Sequence, residues 1–359
     1  MTRPEPAPVA PGARLRRLPL WEPAAPPFSA AKVSFEKERV VERPTPRAAR
    51  VSLTDRCDFA CVYCRPSRSD GYSTERLDER AWGAVFEALS SEGVRRVRFT
   101  GGEPLLHPHV VSLVALAASF GFHDLALTTN ASRLARLAGP LRRAGLHRLN
   151  VSLDSLRADR FAELTRGGRL SDVLAGVDAA LAAGFAPIKV NVVVIRGQND
   201  HEIDDIVTWA WELRLVPRFL EVMSIGEGAK FVGAVVPAAE LRARLGARLA
   251  SRPWSTELDR GPARYVASCH DPSLRVGFIS GSSDTYCASC DRLRVTSSGD
   301  FRSCLARPDG VSARAFAHEG DVAGVVQSLR RSWEQKPSGS FDGCNESSAR
   351  ALSMRAVGG

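Results

Sequence analysis

Six of the eight cysteines fall into two close-spaced triplets: Cys57, Cys61 and Cys64 as C-x3-C-x2-C, and Cys287, Cys290 and Cys304 as C-x2-C-x13-C. Three thiolates on one short loop can hold three irons of a cubane [4Fe–4S] cluster and leave the fourth iron without a protein ligand. An open metal position is what chemistry on a bound molecule needs, as in catalytic zinc sites. The alternative for the first triplet is a zinc knuckle completed by a distant His or Cys; for the second, a zinc site that recruits Cys269, Cys344 or His270. A second cluster with an open iron would be able to bind a substrate directly. A disulfide framework does not suit a chain of 359 residues whose N-terminus lacks the apolar core of a secretory signal.

Such loops need a scaffold, and the pattern between Arg50 and about Met223 supplies one. Short apolar runs at 50–53, 94–99, 125–128, 148–152, 188–194 and 218–222 predict strands. Amphipathic stretches at 79–92, 110–120, 132–144, 171–183 and 203–213 predict helices, with Gly93, Gly121, Gly145 and Gly184 placed as C-caps. Six β-then-α units in succession imply a parallel sheet with right-handed crossovers. Six are too few for the usual eight-unit barrel, so the α/β fold expected is an open, partial (β/α)6 barrel. The first cysteine triplet, Gly101 to Pro104, Thr129 with Asn130, and Asp154 each follow a strand, where such barrels build their sites. After about Val235 the rhythm changes to shorter strands around the second triplet and a helix at 321–333. The expected division is an arm rich in Pro, Ala and Arg at 1–46, the barrel at 47–235, a cluster-binding module at 236–340 and a polar tail at 341–359.

The chain is 44% hydrophobic and 25% charged, with a net charge of +9 carried by arginine more than by its five lysines. That balance suits nucleic acid, an acidic surface or a polyphosphate ligand. Aromatic residues are not interleaved with basic ones, which argues against nucleic acid. No run is long and apolar enough to span a membrane, and a cytoplasmic location is expected.

The stretch from Arg50 through Cys57, Cys61 and Cys64 resembles the signature of radical S-adenosylmethionine (SAM) enzymes, and Gly101-Gly102-Glu103-Pro104 one βα unit later strengthens the match. In that family SAM chelates the open iron, and one electron from the cluster gives a 5′-deoxyadenosyl radical. Further fragments narrow the likeness: Leu127 to Asn130, Asn150 to Ser155, Pro187 to Asn191, Arg218 to Met223, Gly277 to Gly281, Tyr286 to Gly299, and the terminal Gly358 and Gly359. Together they resemble the GTP 3′,8-cyclase family of molybdenum-cofactor biosynthesis, from about Arg50 to the C-terminus.

The resemblance implies two [4Fe–4S] clusters on the two triplets, with SAM contacted by Tyr63, Gly102, Ser152 and Met223. It implies a GTP site lined by Arg50, Arg98, Thr128, Lys189, Arg292, Leu293 and Arg294, with Arg218 beside them. The residue types agree, because guanidinium forks suit phosphate oxygens and purine edges. The implied reaction abstracts the ribose 3′ hydrogen of GTP and joins that carbon to C8 of guanine, with two sites facing each other across the barrel mouth. Implied partners are an electron donor such as flavodoxin or ferredoxin and a downstream cyclic pyranopterin monophosphate synthase; a homodimer is compatible. The diglycine tail is expected to enter the barrel mouth and help position GTP. Three positions depart from the family pattern and bear on substrate orientation: Ala131 where Gly is usual, His107 for Arg, and Asp291 for Asn. Two other readings stay open at this point: another radical SAM enzyme with an auxiliary cluster, such as a peptide maturase, and a nonenzymatic zinc- and RNA-binding protein.

Overall fold

The computed structural model describes residues 45–69, 71–254, 261–283, 286, 287, 290–337, 353 and 354. The expected N-terminal arm up to residue 44, Cys344, and the Gly358 and Gly359 tail lie outside these residues. The strands are β1 Ala48–Ser52, β2 Arg96–Thr100, β3 Asp124–Thr129, β4 Arg148–Ser152, β5 Lys189–Val194, β6 Val216–Glu221, β7 Leu249–Trp254, β8 Arg264–Ser268, β9 Arg275–Ile279, β10 Arg292–Val295, β11 Asp300–Arg302 and β12 Val311–Ser312. The helices are α1 Glu79–Ser91, α2 Val110–Ser119, α3 Leu134–Arg143, α4 Ala158–Thr165, α5 Leu170–Ala182, α6 Ile203–Glu212, α7 Ala238–Arg244, α8 Arg314–Glu319 and α9 Val322–Glu334.

The six expected strands form in sequence order and pair in parallel, so the barrel core agrees with the pattern of βα units. What local pattern did not show is that the C-terminal region continues the same sheet. Strand β9 adds in parallel to β6 and carries β8 and β7, while β10 adds in parallel to β1 and carries β11 and β12. Helix α4 was also not expected; its last turn closes on Arg166 in the left-handed region (φ 54°), with Gly167 just beyond it.

Alternation along the strands decides which face does what, since successive side chains point to opposite faces. Val51, Phe99, Leu127, Leu149, Val151, Val190, Val192 and Phe219 are all buried in the hydrophobic core. Their neighbours Arg50, Arg98, Thr128, Asn150, Asn191 and Arg218 occupy the other face, which is polar. On the core side, Trp82 and Phe86 of α1 are fully buried and stacked at 5.8 Å, and Phe86 meets Phe99 of β2 edge-on at 6.1 Å. Such pairs add about 0.5–1.5 kcal/mol beyond the area they bury. Helix α1 starts where Asp78 accepts a hydrogen bond from the Ala81 amide at 2.8 Å.

At the C-terminal ends of β1 and β2 two loops press together. The Gly102 amide donates to Thr54 O at 2.6 Å, and the Glu103 amide donates to Arg56 O at 2.7 Å. A Cβ at Gly101 would lie 2.4 Å from Thr54 O, and one at Gly102 would lie 2.4 Å from Arg56 O. Only glycine lets the two backbones approach so closely. Gly102→Ala is therefore expected to destabilise the fold by about 1–3 kcal/mol through overpacking, seen as a lower thermal midpoint. Equal midpoints for the variant and the parent would show that the loops are not held in contact.

Candidate functional site

The first triplet occupies the loop after β1, and neighbouring elements fix that loop. The Cys64 amide donates to Cys61 O at 2.9 Å, which closes a tight turn. Arg65, only 2% exposed, donates to Cys57 O at 3.2 Å, to Phe59 O at 3.4 Å and to the Tyr72 hydroxyl at 3.1 Å. Asn130 and Ser132, beyond β3, donate to the Asp58 carboxylate, each at 2.7 Å. The thiols of Cys57, Cys61 and Cys64 are half-buried and line one cavity of about 230 Å³. Burial raises the Cys57 and Cys61 thiols well above the ordinary range, with Glu103 and Asp154 respectively adding to it. Iron binding must therefore displace their protons.

Around that cavity stand all four residues expected to contact SAM: Tyr63, Gly102, Ser152 and Met223. The Tyr63 hydroxyl donates to Asp154 Oδ2 at 2.7 Å, while Asp154 Oδ1 accepts from the Val193 amide at 2.8 Å. Burial raises the Asp154 carboxyl to about 6. Glu103 accepts from Leu105 N at 2.9 Å and from Thr129 Oγ1 and Asn130 N, each at 2.7 Å, and burial raises it to about 7.

Strand register brings Arg50, Arg292 and Arg294 to the same cavity. Arg294 of β10, Arg50 of β1 and Arg98 of β2 are direct partners across three adjacent strands. Arg50, Arg292, Arg294 and Thr128 line the cavity that the first triplet lines, whereas Arg98, Lys189, Leu293 and Arg218 do not. Arg292 and Arg294 share a face, as their spacing requires; Leu293 between them is fully buried in the core, so only its backbone is placed to meet a ligand. Lys189 donates to the Tyr265 hydroxyl at 2.9 Å, and Arg218 donates to Asn150 Oδ1 at 2.7 Å. Burial, and then the neighbouring guanidiniums, lower Arg50, Arg98 (to about 9) and Arg294 (to about 10). Cations so crowded and desolvated make the cavity strongly receptive to a polyanion.

The buried Thr128 Oγ1 and Asn191 Oδ1 line the cavity and have no hydrogen-bond partner among the described residues. Each would be satisfied by a ligand. Asp154 was expected at the site only by its place after a strand, without a role, and Asn191 was not singled out. Both stand on motif fragments that were noted, so the signal was present, but their side-chain directions were not legible.

The second triplet lies at the other end of the strands. Strand β10 runs parallel to β1; Cys57 to Cys64 follow the C-terminal end of β1, whereas Cys287 and Cys290 precede the N-terminal end of β10. Cys304 follows β11, whose antiparallel pairing returns it to that same end. Although Tyr286 and Leu305, beside Cys287 and Cys304, line the cavity of the first triplet, the two triplets leave opposite ends of these neighbouring strands. They are separated along a five-residue strand, on the order of 15 Å at about 3.3 Å per residue. Burial alone would raise the Cys290 thiol, but the Arg292 and Lys336 cations outweigh it and bring it to about 7. Among the described residues no three His, Cys, Asp or Glu side chains converge closely enough to hold a single metal ion. Both donor sets are wholly thiol, which suits the separate iron corners of a cubane better than one zinc ion.

The three departures each have a structural account. Ala131 sits in the left-handed region (φ 61°), where glycine would be unstrained. Asp291 forms an ion pair with Arg96, fastening the start of β10 to β2. His107 accepts from the His109 amide at 3.2 Å, and burial lowers its imidazole to about 4, so it is neutral near pH 7. Cys269 is exposed, with its thiol donating to Ala247 O at 3.3 Å. No helix among the described residues is long and apolar enough to cross a membrane.

Residues 51–210 match the Radical SAM superfamily, and residues 215–341 match Molybdenum Cofactor Synthesis C. A protein of Pseudomonas putida named GTP 3′,8-cyclase is 42% identical over 303 residues, covering 80% of this chain and 88% of its own length. One of Pseudomonas fluorescens with the same name is 40% identical over 294 residues, with the same shares. Among solved structures, Streptococcus suis SuiB bound to its precursor peptide SuiA is similar, with a TM-score of 0.59 and 15% identity over 86% of this chain and 67% of SuiB. SuiB bound to S-adenosylmethionine has a TM-score of 0.57 at 15% identity, and the match spans 76% of this chain and 64% of that one. At that identity the likeness to SuiB concerns the fold alone. The relatives and both matched regions, taken together, show that the chain belongs to the GTP 3′,8-cyclase family of radical SAM enzymes.

Proposed function

We propose that this chain is a GTP 3′,8-cyclase that holds SAM at a cluster on Cys57, Cys61 and Cys64 and orients GTP toward it from a second cluster on Cys287, Cys290 and Cys304. The observation that carries this reading is the single cavity lined both by the first cysteine triplet and by Arg50, Arg292 and Arg294. When bound, the first cluster and SAM supply a carbon radical able to abstract the ribose 3′ hydrogen of GTP. The protein supplies position, charge and exclusion of water.

In this reading Tyr63, Gly102, Ser152 and Met223 form the SAM side of the cavity. Asp154 fixes the Tyr63 hydroxyl, and Glu103 holds the Gly101 and Gly102 loop to the end of β3. The guanidiniums of Arg50, Arg292 and Arg294 take the triphosphate and purine edge, and Thr128 Oγ1 and Asn191 Oδ1 complete the polar wall. Lys189, Arg98, Arg218 and the Leu293 backbone, outside the lining of that cavity, complete the GTP site behind it. Tyr286, whose ring lies 4.8 Å from the Arg292 guanidinium carbon, keeps that fork in place. A one-electron donor such as flavodoxin or ferredoxin reduces the first cluster, and the cyclised nucleotide passes to a cyclic pyranopterin monophosphate synthase. The proposed division is an arm at 1–46, the barrel at 47–235, the cluster module at 236–340 and the tail at 341–359.

Three experiments test this. Anaerobically reconstituted protein is expected to hold about eight irons per chain, the content of two cubanes. Cys61→Ala should lose SAM cleavage, while Cys290→Ala should retain part of it and form no cyclised GTP. Full cyclase activity in the Cys290 variant would make the second triplet merely structural. Arg292→Ala and Arg294→Ala should each weaken GTP binding about tenfold or more, since a charge-assisted contact contributes about 1.5–3 kcal/mol. Unchanged affinity and turnover in both variants would remove these arginines from the site.

A further inference from the structure

Lys336 is one of five lysines in the chain and follows α9 by two residues. Lysine at such a position ordinarily reaches solvent. Here the residue is 9% exposed. Its ammonium donates to Ser303 O at 2.7 Å, to Arg292 O at 2.9 Å and to Cys290 Sγ at 3.5 Å. Three acceptors match the three protons of an ammonium. The Trp333 ring, at 4.8 Å, covers the cation from the helix side.

These partners are not arbitrary. Ser303 is next to Cys304 in the chain, and Arg292 follows Cys290 by two residues. One ammonium thus joins the two segments that carry the second triplet, beside the point where β10 and β11 pair through Arg294 and Arg302. Among the described residues no carboxylate is a partner of the ammonium, and a buried cation without a counter-charge is costly. The one side-chain acceptor of the ammonium among the described residues is the sulfur of Cys290, which would be a thiolate when it holds iron. Removing either carbonyl contact would loosen the frame, but only the sulfur contact gives the charge a direct electronic consequence.

We infer that Lys336 is a positioning residue of the second triplet: it clasps the Cys290 and Cys304 segments and, by a charged hydrogen bond to the Cys290 sulfur, raises the reduction potential of the cluster held there. The sign follows from charge. Reduction adds an electron to a cluster that already carries thiolates, and a fixed positive charge beside one ligand favours the reduced form. The inference rests on the two-cluster reading.

The test uses holoenzyme reconstituted anaerobically, with Lys336→Met and Lys336→Gln beside the parent. Lys336→Met removes both the charge and the donors; Lys336→Gln keeps an amide donor without the charge. Each cluster is titrated by electron paramagnetic resonance, the first identified by its response to added SAM and used as internal reference. Both variants are expected to shift the reduced-to-oxidised ratio of the second cluster at least tenfold toward oxidised, about 59 mV for one electron. The first cluster should stay unmoved. Iron release from the second site to a chelator should be about tenfold faster in Lys336→Met, the loss of roughly one charge-assisted contact. An unshifted potential in whichever variant retains both clusters overturns the assignment while leaving two clusters in place. Parent protein with about four irons and zinc at the second triplet overturns the two-cluster reading, and the Lys336 inference with it.

Discussion

The site depends on one constraint: the in-register parallel pairing of β10 with β1 and of β1 with β2. That pairing sets Arg294, Arg50 and Arg98 abreast on the polar face of the barrel. It also sends the chain out of opposite ends of neighbouring strands, into the first cysteine loop at one end and out of the second triplet at the other. A slip of one residue would turn Arg294 to the core and Leu293 to the cavity. The core residues on the other face, Val51, Val295 and Phe99 among them, oppose such a slip, because each would have to leave the packed layer under the helices.

This arrangement gathers positive charge where there is little water to disperse it. Burial lowers Arg50, Arg98 and Arg294, the Arg292 guanidinium adds to it in each case, and Lys336 is buried at the far end with a thiol and carbonyls for partners. In an isolated protein such crowding destabilises the fold; bound clusters and a triphosphate would offset it. Stability and ligand binding are therefore coupled through the same side chains. The polar lining of the barrel is the reason that the core lies between sheet and helices rather than inside the barrel.

Much of this was legible in the sequence, and the rest was hidden for identifiable reasons. The cysteine spacings, the six βα units and the glycine caps are local signals, and Gly93, Gly121, Gly145 and Gly184 all adopt positive φ. The pairing of β10 with β1 joins segments far apart in the chain, and no local period reports it. The exit of the two triplets from opposite ends of neighbouring strands follows from that pairing. Leu293 was grouped with its arginine neighbours through its motif, yet alternation puts its side chain in the core. Asp154 stood in a noted fragment, but its bond to Tyr63 depends on tertiary approach. Lys336 was visible only as a rare lysine; its reach to Cys290 depends on how α9 docks.

In the function proposed, one cavity brings the carbon radical generated at the first triplet to the ribose of GTP held by the arginines. The most direct measurement is anaerobic turnover with SAM, a reductant and GTP deuterated at ribose C3′, followed by mass analysis of the 5′-deoxyadenosine. One deuterium per 5′-deoxyadenosine, accompanied by a cyclised nucleotide, is the predicted result. Unlabelled 5′-deoxyadenosine with unchanged GTP would contradict the account.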